Sequence, residues 1–478
     1  MCRGRAPGPG PAPAGLTPHE RKKTTIMGQN VADDAVRERL LSFGILQPRH
    51  GTPELLDALR QVGSREAADL LFRHKISSMS RATAESLALT AAPEDRELFT
   101  EFAERLAERA SVMASRWSSS AEVGRLVTRF AEEEGVSWWT MKGFSFRPLY
   151  PEGCRRDVGD LDVLVTTMDD AWKLARRLRE DSYIYLDIEL PWFKRDVTTG
   201  ELYGQIRLTT PNRDRLSIDI HAGPYSVRHC AVMPLRRTWE GHGTPGGPLA
   251  FEDDVCAVVA NAAGDCFVTA KMVNDLLLCL ERDLDIAYVH ATLDHAGLLP
   301  FLATCLGRVR DWCEVTPAQS EQIARLTPAL SPEPVPPVTG ADGDVRCEVT
   351  VAHARGIAGR LFPQDAGRVE SVAASALDAY GTDHPLRLVR EDEVQPLVWD
   401  DLNNWTCVRL VPQELAVARL VGGEPKPQAR VEPGRALSEQ VTVVGTGSGT
   451  LVHAIGDTFV PTVDFALPDT LVAALAGH

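Results

Sequence analysis

The residues whose types and spacing could do chemistry sit in two neighbouring stretches. One is Lys142-Gly-Phe-Ser-Phe-Arg-Pro-Leu-Tyr150; the other is Arg156-Asp-Val-Gly-Asp160-Leu-Asp162-Val-Leu-Val165. Side chains alternate across a strand, so Asp160 and Asp162 share one face while Leu161 and Val163 take the other. An isolated D-x-D is commonly a solvated strand end. Here Val158, Leu161, Val163, Leu164 and Val165 frame the acids as part of a buried strand, where unpaired carboxylates are costly. Two carboxylates so close repel unless a cation lies between them, and oxygen ligands suit magnesium or manganese. Such a pair points to a metal-dependent enzyme that handles a phosphate-bearing substrate.

A third acid lies in Leu216-Ser-Ile-Asp219-Ile-His221, again a strand by alternation and β-branched content. Ser217, Asp219 and His221 share a face. If this strand lies beside the first, Asp219 completes a three-carboxylate cluster able to hold two metal ions. One would activate the attacking oxygen and the other would clamp the phosphates of a nucleoside triphosphate. His221 by itself reads as a packed histidine behind the ligands rather than as a ligand.

Taken together, Lys142, Gly143, Tyr150, Pro151, Arg156, Asp160, Asp162, Leu164, Val165, Asp219 and His221 carry a resemblance. The chain resembles the bacterial group called uncharacterised nucleotidyltransferases, within the DNA-polymerase-beta-like superfamily. The likeness spans about residues 35 to 320 and continues loosely through Lys271, Asn274 and Asp275. It implies an α+β fold with a mixed-sheet palm flanked by helices, magnesium dependence, and transfer of a nucleoside monophosphate. Better-known members of the superfamily place a Gly-Ser pair about ten residues before the acids; here Gly143 precedes Asp160 by 17 residues. Fold and chemistry therefore transfer better than biological role.

Roles follow from charge and shape. Asp160 and Asp162 would bind the metal that coordinates the triphosphate, and Asp219 would help to deprotonate the acceptor hydroxyl. Lys142 ends a strand, and Gly143 would let the backbone approach a phosphate. Arg156 would neutralise charge on the triphosphate through its bidentate fork. The alternative for Lys142 and Arg156 is a salt bridge to the acid cluster, and Tyr150 reads as packing. Lys271 and Asp275, four apart on one helix face, fall on the acceptor side by resemblance; locally they would make an ion pair.

Composition sets the outer bounds. The chain has 478 residues, 44% hydrophobic and 24% charged, which is ordinary for a globular protein with more than one core. Its net charge of -15 argues against a general nucleic-acid binder, because phosphate backbones demand a basic surface. No run reaches the roughly 18 apolar residues needed to cross a bilayer. The ten cysteines include no C-x-x-C pair, which argues against structural zinc. With no export signal in view, they read as thiols of a cytoplasmic protein.

The elements that must position the candidate residues follow from periodicity. Residues 1–30, rich in Pro, Gly, Ala and Arg, read as a disordered tail, and the change of composition near Met27 suggests a start there. Residues 31–134 are helical, and the stripe Val123, Leu126, Val127, Phe130 ends at Gly135. The palm covers 135–245: a strand within Val136–Lys142, the acid strand, a helix over about 168–179, and two or three strands up to Asp219. A helical acceptor-side region spans 246–326 and a Pro-rich linker 327–342. Beyond it, 343–478 reads as a smaller β-rich domain of unassigned role, with strands expected at Val345–Ala352, Leu386–Val389, Val408–Val411, Val441–Val444 and Thr450–Ile455. From Ser331 on it holds 20 acidic against 11 basic residues, so docking of a partner or substrate is its default use. Gly445-Thr-Gly-Ser-Gly449 looks like a phosphate loop, but no helical pattern follows it and a hairpin turn is expected.

The function these observations and the resemblance imply is AMP transfer from ATP to a hydroxyl of a small-molecule or peptide acceptor, in natural-product biosynthesis as relatives suggest. Two rivals stand beside it: a nucleotidyltransferase that modifies a protein, of toxin-neutralising or regulatory type, and an inactive fold kept as a binding module. The intact trio Asp160, Asp162 and Asp219 speaks against the second. Nucleotide addition to RNA is disfavoured by the net charge.

Overall fold

The computed structural model describes residues 30–477, apart from 183–184, 186, 197–198, 213, 228–230, 328–329, 331, 333–342, 381–385, 395–396, 400–405, 423, 427–433 and 464. The expected N-terminal tail with Met27 and most of the Pro-rich linker lie outside the described residues.

The chain opens with helices α1 (Asn30–Leu41), α2 (Thr52–Val62), α3 (Ser64–Arg73), α4 (Ser77–Thr90), α5 (Pro93–Ser118) and α6 (Ser120–Glu134). The last ends as the sequence implied, on Gly135 in the left-handed region at φ 66°. Then come β1 (Trp138–Thr140), the single turn α7 (Gly143–Phe146), β2 (Asp160–Val165) and α8 (Met168–Ser182). The palm continues through β3 (Asp187–Arg195), β4 (Leu202–Thr209), β5 (Ser217–Ala222) and the small ribbon β6 (Tyr225–Val227) and β7 (Ala231–Met233). A helical stretch follows: α9 (Phe251–Asp265), α10 (Ala270–Cys279), α11 (Ile286–His295), α12 (Leu299–Trp312), α13 (Pro317–Leu326), α14 (Gly343–Leu361) and α15 (Ala366–Tyr380). The C-terminal part holds β8 (Arg387–Val389), β9 (Val408–Pro412), α16 (Gln413–Leu420), β10 (Arg435–Ala436), β11 (Val441–Thr446), β12 (Gly449–Ala454), β13 (Asp457–Thr462), β14 (Ala466–Pro468) and α17 (Asp469–Ala476).

One ten-stranded sheet, in the order β1-β2-β5-β4-β3-β9-β13-β12-β11-β10, joins the palm to the C-terminal region. Its pairings are antiparallel except that of β2 with β5, which runs parallel with Asp162 opposite Asp219. Alternation sorts the two faces. Leu161, Val163, Ile206, Leu208, Ile218, Ile220, Val408 and Leu410 pack with Val127, Phe130, Trp172 and Leu178 of α6 and α8. The other face carries Asp162, Asp219, His221, Gln205 and Arg207, and α9 and α10 close over it. A second core unites the N-terminal helices with α9–α15, through Leu40, Phe99 and Phe102 on one side and Val273, Leu277 and Phe301 on the other. Asn274 of α10 clamps the two parts: its Nδ2 donates to Gly44 O at 2.8 Å, and its Oδ1 accepts from Leu46 N at 3.0 Å.

Two expectations change. Val345–Ala352, read as a strand from its apolar alternation, lies inside α14. Beyond that window the buried residues Ala354, Ile357 and Ala358 recur at helical spacing and pack with Val372 and Ala373 of α15. Tertiary burial thus overrides local β propensity. The β-rich C-terminal region is present, but its strands are not a detached layer. Trp192 and Phe193 of β3 pair with Arg409 and Val408 of β9, which covers an edge that the palm would otherwise expose. The Gly445–Gly449 segment forms the expected hairpin, with Thr446 opposite Gly449. No helix among the described residues is long and apolar enough to cross a membrane, and the described cysteines Cys154, Cys256, Cys266, Cys279, Cys305, Cys313 and Cys407 are free thiols.

Candidate active site

The nine residues expected to meet metal, nucleotide or acceptor all line one cavity of about 360 Å³: Lys142, Gly143, Arg156, Asp160, Asp162, Asp219, His221, Lys271 and Asp275. Its floor is the parallel β2/β5 pair. Asp162, Asp219 and His221 each place a ligand atom within 4.8 Å of the others, and all three are buried. Asp160 lines the same cavity outside that group. His221, expected behind the ligands, belongs to this close group, with Nε2 3.2 Å from Asp162 Oδ1.

The electrostatics separate the two acids. Burial works to raise Asp162, but the Lys142 ammonium and the His221 hydrogen bond outweigh it and hold the carboxyl well below its ordinary range. Burial and then the charge of Asp160 push Asp219 up to about 8. Burial and the neighbouring Lys142 charge lower His221, so its imidazole is neutral near pH 7, the form that ligates metals. Gln205 Nε2 donates to Asp219 Oδ2 at 3.1 Å, whereas the buried Asp219 Oδ1 accepts no hydrogen bond and has the Arg207 Nε 3.3 Å away. Two carboxylates and a neutral imidazole that face one another are a fitting donor set for a divalent cation.

Lys142 reaches this cluster from the end of β1. Its Nζ donates to Asp162 Oδ1 at 2.9 Å and lies 4.9 Å from the centre of the Tyr225 ring. To do so the residue adopts φ 53°, a left-handed value uncommon outside glycine. Asp254 of α9 holds the conformation by accepting the Lys142 N–H at 2.6 Å. Gly143 follows because space is short: a Cβ there would lie 3.1 Å from Arg156 Nη1 and 3.2 Å from Val158 Cγ1. The close approach it permits in this structure is to Arg156.

Arg156 and Asp275 form a buried bidentate pair, Nε to Oδ1 at 2.7 Å and Nη2 to Oδ2 at 2.6 Å. Tyr150, read as packing, also donates its hydroxyl to Asp275 Oδ1 at 2.8 Å. Asp275 is thus turned toward Arg156, 119 residues away, rather than toward Lys271 on its own helix. Lys271, half-buried, makes no ion pair among the described residues; burial and the charges of Lys75 and Arg156 lower its ammonium to about 7. The Lys271 N–H donates to His74 O, and the Ala270 N–H to His74 Nδ1 at 3.0 Å, so α10 starts on the N-terminal helices.

Sequence reasoning missed Asp254, Gln205, Arg207, Trp192, Tyr225, Lys75 and Arg409. The first five lie inside the palm or its adjoining helix, and the alternation of β4 could have placed Gln205 and Arg207 on the acid face. Nothing local marks Arg409, which reaches the cavity only through the β3/β9 pairing. No curated protein and no solved structure matches the chain. The model of one family, described as "Uncharacterised nucleotidyltransferase", matches residues 61–314, more than half of the sequence. That stretch contains β1, β2, β5 and α10, and with them every residue of the acid cluster, so the chain belongs to this nucleotidyltransferase family.

Proposed function

We propose that the chain moves a nucleoside monophosphate, AMP from ATP, to a hydroxyl of a small-molecule or peptide acceptor. The observation that carries the reading is the buried group of Asp162, Asp219 and His221 on the floor of a polar cavity. Asp162, Asp219 and His221 would hold a divalent cation, with Asp160 at the cavity wall. Two carboxylates suit magnesium, and the added imidazole suits manganese. Such a cation, when bound, supplies Lewis-acid stabilisation to phosphate oxygens.

In the reaction the acceptor oxygen attacks the α-phosphorus, the α–β phosphoanhydride bond breaks, and pyrophosphate leaves carrying the added charge. The chain's own residues position these groups and neutralise charge, which is most of what this chemistry needs. Asp219 would help to take the hydroxyl proton only in its ionised form, so its carboxyl, raised to about 8, must first give up its own proton. Gln205 holds its other oxygen and so fixes which one serves. Lys142 lies where phosphate oxygens entering the cavity would meet its ammonium. Arg156 adds positive charge behind Gly143 while Asp275 fixes its plane. ATP as donor, and an acceptor from natural-product chemistry, rest on the family resemblance.

The test is calorimetric titration of ATP, then GTP, CTP and UTP, with magnesium or manganese, into the wild type and Asp219→Asn. Below pH 8 the free protein carries Asp219 protonated, so the amide replaces it without leaving an unpaired charge. Metal-dependent binding of one nucleotide that the variant loses supports the transferase. Failure of the wild type to bind any of the four overturns it.

A further inference from the structure

Besides Lys142 and Arg156, the cavity is lined by four more basic side chains, in a chain of net charge -15. They come from two different walls. Lys271 on α10 and Lys75 in the turn before α4 belong to the helical wall; Arg207 on β4 and Arg409 on β9 belong to the sheet. The two sets share one neighbour. Lys271 feels Lys75, Arg156 and Asp275, Arg207 feels Asp219 and Glu189, and both feel Asp160.

The sheet wall is built along cross-strand rows. His221, Gln205, Trp192 and Arg409 stand opposite one another on β5, β4, β3 and β9. Trp192 Nε1 donates to Gln205 Oε1 at 3.3 Å, and Gln205 in turn holds Asp219. Arg207 sits in the next row, its Nε 3.3 Å from Asp219 Oδ1 and its Nη2 donating to Ser217 Oγ at 3.0 Å. Arg409 is 5% exposed, with its guanidinium carbon 5.1 Å from the centre of the Phe465 ring. It lies 95 residues beyond the end of the family match, so the C-terminal region contributes this part of the wall.

A nucleoside triphosphate approaches the acids from one side, and the attacking hydroxyl must enter in line from the other. One cationic wall suffices for the triphosphate and its departing pyrophosphate, and Lys142, Arg156, Lys75 and Lys271, the last expected on the acceptor side, would provide it. A second wall of arginines, which favour planar anionic oxygens, suits an anionic second ligand. We propose that Arg207 and Arg409, beside Trp192, form a subsite for an anionic acceptor that carries a phosphate or carboxylate near the hydroxyl to be modified. The proposal rests on the nucleotidyl-transfer reading above.

The experiment uses the full chain loaded with magnesium and α,β-methylene-ATP, whose α–β bridge cannot be cleaved. Binding of that analogue to the wild type is measured first, and its absence counts against the transferase reading itself. Inorganic phosphate and acetate are then titrated separately into the loaded protein. We expect one of them to bind without displacing the analogue, which also tells phosphate from carboxylate recognition. Arg409→Gln and Arg207→Gln should each weaken that anion by about tenfold or more, as loss of a charge-assisted hydrogen bond implies. Arg409→Gln should leave the analogue's affinity within about twofold, and Arg409→Lys should retain part of the anion binding. Should Arg409→Gln fail to fold, Arg409→Lys carries the test, since it keeps the charge and loses only the fork: it should weaken the anion and leave the analogue within about twofold, and equal weakening of both overturns the proposal. The proposal is overturned if neither anion binds the loaded protein, if the anion displaces the analogue, or if Arg409→Gln weakens the analogue as much as the anion.

Discussion

The buried Arg156–Asp275 pair offers the sharpest quantitative test. The Arg156 side chain is 2% exposed and Asp275 fully buried, and one carboxylate accepts three hydrogen bonds, two from the guanidinium and one from Tyr150. Removing one partner strands a charge that burial has stripped of water, at a cost of about 3–5 kcal/mol. Against a total stability on the order of 5–15 kcal/mol, that is a large fraction. Replacing both partners by apolar residues of similar size removes the stranded charge as well and should be close to neutral. We therefore expect Arg156→Met and Asp275→Leu, each made in a Tyr150→Phe background so that no hydroxyl is orphaned, to lower stability by about 3–5 kcal/mol singly. Combined, they should cost at least about 2 kcal/mol less than the sum. Urea unfolding followed by circular dichroism measures all four corners of the cycle. Additive losses would refute the reasoning, because they would mean that the two charges are solvated independently. Magnesium–ATP titration of the combined variant then separates roles. Lost nucleotide binding in a stably folded protein would assign Arg156 to the triphosphate as well as to the pair.

Two further predictions follow from local geometry. Below pH 8 the Asp219 carboxyl holds a proton that a bound cation must displace, so manganese affinity should rise by about tenfold per pH unit from 6 to 7 and level off above 8. Calorimetry in buffers of different ionisation enthalpy reads the released proton, and an affinity that is flat from pH 6 to 9 would contradict it. Gly204→Ala should destabilise the chain by about 1–3 kcal/mol. A Cβ there would lie 2.1 Å from Trp192 O and 2.8 Å from Phe193 Cα, backbone atoms that cannot step aside at the irregular β3/β4 register. Thermal melting at the wild-type midpoint would show that β3 yields after all.

What the sequence determined by itself is the set of local patterns. Period-two alternation put Asp160 and Asp162 on one face, and Ser217, Asp219 and His221 on another, because side-chain direction along a strand depends only on the strand. The helical stripe ending at Gly135 and the Gly445–Gly449 hairpin were legible for the same reason. Only the tertiary structure decided which faces meet. Asp219 reaches Asp162 because β2 and β5 pair in parallel, and nothing within either segment specifies its neighbour. The partners of Lys142, Arg156 and Asp275 depend on a backbone turned to positive φ and on contacts across 119 residues, which no local period encodes. The local signal at Val345–Ala352 was outweighed by burial of the adjoining helical stripe against α15. Arg409 is the plainest case: its short strand looks like many others until the open edge of β3 pairs with it, and that hydrogen-bonded edge carries the arginine into the cavity.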